Sequence, residues 1–99
     1  MKIENTSDLE RILKTTKKVI IDYSAKWCMP CKKIMPVFDT LSTNYTDIEF
    51  IKIDISEFDV DVPSLPTFHF YNNGEFVNQL TEANENKLKS MTEELANMV

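Results

Sequence analysis

The chain has 99 residues, of which 42% are hydrophobic and 27% are charged, with four Pro and one Gly. This composition excludes collagen-like, glycine-linker and disordered chains, and we expect a single domain over residues 1–99. The net charge of −5 has the wrong sign for holding nucleic-acid phosphates. No apolar run approaches the roughly 18 residues of a membrane span, and residues 1–18 contain no continuous hydrophobic stretch of the signal-peptide kind. We therefore expect a cytoplasmic protein that binds neither nucleic acid nor membranes.

The N-terminal part of the chain predicts a helix followed by a central strand. The helix is predicted to begin at Thr6 or Ser7, and Lys2–Ile3 is a candidate for a short leading strand. Three apolar residues recur at the i, i+3, i+4 spacing of one buried helix face, namely Leu9, Ile12 and Leu13. The run Val19–Tyr23 is β-branched and apolar except for Asp22, which is typical of a strand buried on both faces of a sheet.

A long helix is predicted to begin at or near Cys28. Its apolar stripe recurs at i, i+4, i+7 and i+11, through Ile34, Phe38, Leu41 and Tyr45. Pro36 lies inside this stripe, and because the stripe continues in phase beyond it, we expect a bend rather than an end of the helix. The next strand is predicted over Ile48–Ile55.

The C-terminal part predicts a hairpin and a closing helix. Strands over Thr67–Tyr71 and Glu75–Leu80 flank Asn72-Asn73-Gly74, and Asn-Gly between apolar stretches is a strong signal for an antiparallel hairpin. His69 alternates with two phenylalanines on the first of these strands and is interpreted as a packed histidine. The closing helix, with Asn84 as its predicted cap, carries an amphipathic stripe of Leu88, Met91, Leu95 and Met98.

Together these elements predict an α/β fold. Strand-helix-strand connections of this length imply parallel neighbours, whereas the hairpin implies an antiparallel edge. We therefore expect a mixed central β-sheet flanked by helices on both faces.

Cys28 and Cys31 are the only cysteines, and a single Cys-x-x-Cys is too few for a disulfide framework. The pair is either half of a metal site or a redox dithiol. A tetrahedral zinc site normally uses four Cys or His ligands, and His69 alone remains to be added. The redox interpretation is therefore favoured. A metal-bridged dimer and a binding or assembly module with an incidental dithiol remain as alternatives.

The helix start gives the two cysteines different chemistry. A cysteine at a helix N-terminus is stabilised as the nucleophilic thiolate, and Cys28 occupies that place. Cys31 lies one turn further in, where it is predicted to be more buried and to resolve a mixed disulfide. Pro30 lies just inside the helix, where its missing N–H costs nothing. Asp22 is predicted to be buried in the sheet, where desolvation raises its pKa and lets it exchange protons near neutral pH.

Three segments give the chain a resemblance to the thioredoxin family. Asp22–Lys32 reads DYSAKWCMPCK, Leu65–Phe68 reads LPTF, and Asn73–Glu75 reads NGE. The likeness extends over essentially the whole chain. It implies the thioredoxin fold and a protein-disulfide reductase that exchanges a dithiol for a disulfide.

The resemblance also implies roles for particular residues. It makes Asp22 the base toward the Cys31 thiol and places Lys52 on the adjacent strand near Asp22. It makes the bond before Pro66 cis, so that this proline faces the cysteines. A substrate-binding rim is expected around them, formed by Trp27, Met29, Pro30, Leu65 and Pro66. For Trp27 core packing is the alternative, for Met29 a solvent-exposed spacer, and for Lys52 a solvated lysine.

Cofactors and partners follow from the same resemblance. No cofactor is expected, because electrons come from a disulfide reductase or another dithiol. The expected substrates are disulfide-containing proteins, and the chain is expected to act as a monomer.

The chain departs from the family pattern at four places. Met29 stands where the family most often has Gly, and Ser24 stands where it often has Trp. The acidic segment between Asp54 and Pro66 is short, so we expect a single turn instead of a helix. Glu82-Ala83 replaces a Gly-Ala that lets a bound peptide approach closely.

Overall fold

The computed structural model describes residues 6–58 and 60–99, which form three helices and four strands. Their order is α1 (Thr6–Thr15), β1 (Lys18–Ser24), α2 (Met29–Asn44), β2 (Glu49–Asp54), β3 (Thr67–Asn72), β4 (Glu75–Leu80) and α3 (Glu85–Ala96). The candidate leading strand at Lys2–Ile3 lies outside the described residues. The remaining predicted elements are confirmed to within one or two residues at their ends.

The four strands form one mixed sheet in the order β2-β1-β3-β4. β1 pairs in parallel with β2 and antiparallel with β3, and β3 pairs antiparallel with β4. The parallel pair is connected by α2, as a crossover requires. The predictions of a mixed sheet and of a central β1 are confirmed.

Helices cover both faces of the sheet, because β1 alternates its side chains between two apolar clusters. One face packs against α2 and α3, and its buried residues include Ile20, Ile34, Phe38, Phe68 and Leu88. The other face packs against α1, and its buried residues include Val19, Ile21, Tyr23, Ile51 and Ile53. Burial of β1 on both sides explains its continuous apolar run.

Helix α2 continues through Pro36 to Asn44, as its apolar stripe predicts. Cys31, Ile34, Phe38 and Leu41 are its buried residues and lie on one face. The register of α2 against the sheet therefore fixes the position of its N-terminus, where the cysteines lie.

The hairpin between β3 and β4 turns at Asn-Gly as predicted, and because β3 extends to Asn72 the turn has two residues. Asn73 and Gly74 both have positive φ, 56° and 81°, the conformation that Asn and Gly tolerate. A Cβ at Gly74 would lie 3.2 Å from the Leu13 carbonyl oxygen, so α1 leaves little room for any other residue.

The segment after β2 forms a turn over residues 55–57, and the described residues between β2 and β3 contain no helix. The Asp54 carboxylate closes this turn by accepting hydrogen bonds from the Ser56 N–H (2.9 Å) and hydroxyl (2.7 Å). The expected single turn is confirmed. After β4, Asn84 caps α3, its side-chain oxygen accepting from the Lys87 N–H at 3.0 Å.

Candidate active site

Cys28 is the N-cap residue of α2, as the sequence predicts. Its extended backbone (φ −85°, ψ 109°) turns the chain from the loop into the helix, and its Sγ accepts the Cys31 N–H at 3.2 Å. The first N–H groups of a helix have no partners within the helix and carry a positive partial charge. This contact therefore brings the positively polarised Cys31 N–H against Cys28 Sγ. Cys28 and Cys31 are joined by a disulfide, with their Cα atoms 5.3 Å apart.

The two cysteines differ in accessibility in the predicted direction. Cys28 is 5% exposed and Cys31 is 1% exposed. Both pack with Ala25 in a small buried cluster, against which Leu65 and Ile55 lie half-buried. Both cysteines are thus largely covered, and Cys28 is the more exposed of the two.

The loop that contains Pro66 faces this cluster through Leu65. The Leu65-Pro66 peptide bond is cis, as the resemblance implies. Two hydroxyl groups fasten the loop: Thr67 Oγ1 donates to the Ser64 carbonyl at 2.6 Å, and Ser64 Oγ donates to the Thr81 carbonyl at 2.7 Å. The second of these bonds could not be predicted from the sequence, because its partners are 17 residues apart.

The predicted rim consists of side chains with very different exposure. Trp27 is 72% exposed and Met29 is 60% exposed, so core packing of Trp27 is wrong. Pro30 is also exposed, Leu65 is half-buried and Pro66 is buried. The cysteine pair is thus flanked along the chain by apolar side chains that remain open to solvent.

Asp22 is fully buried, as predicted. Asp22 is two residues after Ile20 on β1, so the two side chains point to the same face of the sheet. Ile20 packs against α2, and Asp22 therefore lies on the face that α2 covers. Within the described residues neither carboxylate oxygen has a hydrogen-bond partner. Burial raises the pKa of Asp22 from 3.8 to about 7, with a lowering contribution from Lys52 and a raising one from Asp39.

Lys52 is the Cα partner of Asp22 in the parallel β1-β2 pair, so the expected neighbourhood of the two backbones is confirmed. Its ammonium group, however, pairs with Asp39 of α2, with 2.7 Å between Nζ and Oδ1. Both side chains are about half exposed. Sequence reasoning missed Asp39, because no spacing rule links a helix carboxylate to a strand lysine 13 positions away.

His69 lies on the other face of the sheet, next to Tyr23 in the α1-side layer. Its ring contacts Tyr23 edge-to-face at 4.8 Å and Phe76 at 5.0 Å, and its Nε2 lies 2.9 Å from Gln79 Oε1. Burial lowers its pKa. The interpretation of a packed histidine is confirmed.

The departures from the family pattern lie around the cysteine cluster. Ser24 lines an open depression of about 320 Å³ beside Cys31, together with Met35 and Asp54. Glu82 follows Thr81, to which the Pro66 loop is bonded, and its carboxylate pairs with Lys87 Nζ at 2.7 Å. An ion pair therefore lies next to the loop that faces the two cysteines.

Residues 6–58 and 60–99 contain no group of three or more His, Cys, Asp or Glu side chains placed to hold a metal ion. Over the same ranges, no helix is long and apolar enough to cross a membrane.

A disulfide at a helix N-terminus, faced by the loop that contains a cis proline and supported by a mixed sheet, defines a thiol-disulfide exchange site. Comparison with known proteins agrees: the family model Thioredoxin matches residues 1–94. Thioredoxin of Ictalurus punctatus is 42% identical over 96 residues, covering 88% of this chain and 90% of the relative. Thioredoxin of Gallus gallus is 41% identical over 100 residues, covering 94% and 95%. A solved Plasmodium falciparum thioredoxin superposes with a TM-score of 0.88 at 35% identity, covering 94% of this chain and 96% of that one.

The chain therefore belongs to the thioredoxin family. It is a protein thiol-disulfide oxidoreductase, a protein-disulfide reductase of the thioredoxin type with the active-site Cys-x-x-Cys pair. Members of this family act on disulfide substrates and are reduced by thioredoxin reductase.

Proposed function

We propose that Cys28 is the nucleophile and Cys31 the resolving thiol in the reduction of protein disulfides. The observation that carries this division is the hydrogen bond from the Cys31 N–H to Cys28 Sγ at the start of α2. An N–H donated to sulfur favours the thiolate over the thiol, and Cys28 is also the more exposed of the two.

The reaction takes place in two exchanges. The Cys28 thiolate attacks one sulfur of the substrate disulfide, the substrate S–S bond breaks, and its other sulfur leaves as a thiolate that takes up a proton. Cys31 then loses its proton and attacks Cys28 Sγ, which breaks the mixed disulfide and releases the second substrate thiolate. Two electrons have passed to the substrate, and the protein is left with the Cys28–Cys31 disulfide.

Asp22 is the proposed acceptor of the Cys31 proton. It lies on the sheet face that α2 covers, and its pKa of about 7 makes both of its protonation states accessible near neutral pH. Lys52 acts on this step through its charge, since its ammonium pairs with Asp39 and not with Asp22.

Substrate binding is assigned in this proposal to the apolar rim. Trp27, Met29 and Pro30 grip one side of an extended substrate segment, and Leu65 and Pro66 contact it from the opposite loop. The exposure of Trp27 and Met29 supports this assignment, because large apolar side chains open to solvent are typical of interaction surfaces.

The physiological setting completes the proposal. Electrons reach the dithiol from a disulfide reductase or another dithiol, so no cofactor is required. The chain acts as a monomeric single domain on proteins with accessible disulfides, takes part in electron transport to them, and is cytoplasmic. Support comes from the thioredoxin relatives, which match most of the chain and are of similar length.

A turnover assay tests the central step. Dithiothreitol is supplied as the electron donor and a small disulfide-bonded protein as the substrate. Wild type is expected to accelerate reduction, and Cys28→Ser is expected to lose this acceleration entirely. Equal far-UV circular dichroism of the two proteins controls for folding. Full acceleration by the folded Cys28→Ser variant would refute the assignment.

A further inference from the structure

The buried Asp22 carboxylate lies beside a lysine that does not reach it. Lys52 is its register partner on β2, and Cα partners of a parallel pair project their side chains to the same face of the sheet. Lys52 is two residues after the buried Phe50 on β2, so the two side chains leave the strand on the same face. Phe50 packs on α2, and the lysine stem therefore starts on the face that α2 covers. Because the lysine stem is flexible and four carbons long, its ammonium could lie either near the buried carboxylate or at the surface.

The structure shows which of the two it takes. Lys52 Nζ lies 2.7 Å from Asp39 Oδ1, and both side chains line a surface cleft of about 480 Å³. The Asp22 oxygens have no hydrogen-bond partner among the described residues. The exposed carboxylate of α2 therefore holds the cation that the buried carboxylate lacks.

Other charged groups around Asp22 do not replace Lys52. From β3 the facing residue is Phe68, which is uncharged. On β1 itself, Lys18 donates its Nζ to the Ala96 carbonyl at 2.7 Å. At the end of β2, Asp54 is bonded to Ser56. From α2 the facing groups are Asp39 and, once the disulfide is reduced, the cysteine thiols.

We propose that Asp39 is a positioning residue: its ion pair holds the Lys52 ammonium at the surface, so that the buried Asp22 stays without a counter-ion and remains able to accept the Cys31 proton. An ammonium turned inward would favour the ionised form of Asp22, and an ionised carboxylate close to its counter-ion is a poor proton acceptor at neutral pH. This role rests on the proposed function of Asp22.

The inference is tested by titrating Asp22 in four variants of the full chain. The readouts are the carboxyl carbon of Asp22, followed by NMR in protein labelled at aspartate, and the pH profile of kcat/KM in disulfide reduction. The variants are Asp39→Asn, Lys52→Met, the double variant, and the control Glu49→Gln. The control removes one negative charge from the same cleft without touching the ion pair.

Asp39→Asn is expected to lower the Asp22 pKa by about 1 pH unit and to move the pH profile in the same direction. Lys52→Met is expected to raise the pKa. In the Lys52→Met background, Asp39→Asn is expected to lower the pKa by much less than it does in wild type, because only the direct charge effect of Asp39 remains. This difference is decisive, because it measures the part of the Asp39 effect that acts through Lys52. Glu49→Gln is expected to change neither readout appreciably.

Two outcomes would overturn the inference. In one, Asp39→Asn leaves the Asp22 titration where it is in wild type. In the other, Asp39→Asn lowers it equally with and without Lys52, which would show that Asp39 acts only by its own charge. The NMR titration needs no substrate, so it judges the position of Lys52 independently. Absence of disulfide reduction by wild type would instead be a failure of the proposed function.

Discussion

The ionisable Asp22 is buried without a hydrogen-bond partner among the described residues. Its carboxylate is fully buried, and burial raises its pKa from 3.8 to about 7. The protonated form therefore stabilises the native state fully below the unfolded pKa of 3.8, and this contribution is lost as pH rises through the folded value near 7. Above that pH the buried charge costs about 4 kcal/mol of stability. Such a cost is typical of a group kept for its chemistry.

Asp22→Ala is expected to be more stable than wild type at pH 8, by about 1–4 kcal/mol, because the lost packing offsets part of the relieved charge. The advantage should shrink as pH falls from 7 toward 4. Denaturant melts at several pH values measure it. A variant that is less stable than wild type at pH 8 would contradict the burial of an ionised group.

Residues whose role depends on local spacing were predictable, and those whose role depends on a distant side chain were not. Cys28 and Cys31 could be recognised from the two-residue gap between them at a helix start. Asp22 could be recognised because it interrupts the apolar run of a buried strand. The backbone neighbourhood of Lys52 followed from strand pairing, but the direction of its ammonium did not. The ammonium points toward Asp39, and this partner could not be predicted because it lies 13 positions away along the chain.

The helices and strands around the site begin or end at residues with specific capping or turn roles. Cys28 begins α2, Asn84 caps α3, and the Asn73-Gly74 turn closes the hairpin. Each of these was visible in the sequence because caps and tight turns demand particular residue types. The fastening of the Pro66 loop to Thr81 was not, since a serine hydroxyl bonds to any backbone carbonyl within reach.

Gly74→Ala is expected to destabilise the protein by about 1–2 kcal/mol. The reason is twofold: Gly74 has φ of 81°, and the added Cβ would lie 3.2 Å from the Leu13 carbonyl oxygen of α1. Urea melts measure the loss. Asn73→Gly at the neighbouring position is the control and should cost under about 0.5 kcal/mol, because Gly adopts positive φ freely. Equal costs for both variants would contradict the tight approach to α1.

At the scale of the whole molecule, the sheet has two ends with different surfaces. The cysteines and their apolar rim follow the C-terminal end of β1. The exposed Phe76 packs on Tyr71 in the β3-β4 hairpin, and Tyr71 pairs with Val19 at the other end of β1. The fold class, the mixed sheet and the central place of β1 were predictable, because apolar runs and the hairpin signal leave few arrangements. The exposure of Trp27 was not, since the same side chain packs equally well in a core.

Trp27→Ala is expected to lower kcat/KM for a protein disulfide by about tenfold, which corresponds to about 1.4 kcal/mol of lost rim contact. Reduction of a small-molecule disulfide should change less than about twofold, because such a substrate is too small to use the rim. Phe76→Ala is the control, as an exposed aromatic residue at the far end of the sheet. Equal losses on both substrates would assign Trp27 to the dithiol itself and not to substrate binding.

The most direct test of the central claim is to map the covalent intermediate by mass spectrometry. Reduced Cys31→Ser and reduced Cys28→Ser are each mixed with a disulfide protein, quenched with acid and digested. Cys31→Ser should accumulate a mixed disulfide through Cys28, because no second thiol releases it, whereas Cys28→Ser should accumulate little or none. Equal trapping through Cys28 and Cys31, or trapping through Cys31 alone, would contradict the account.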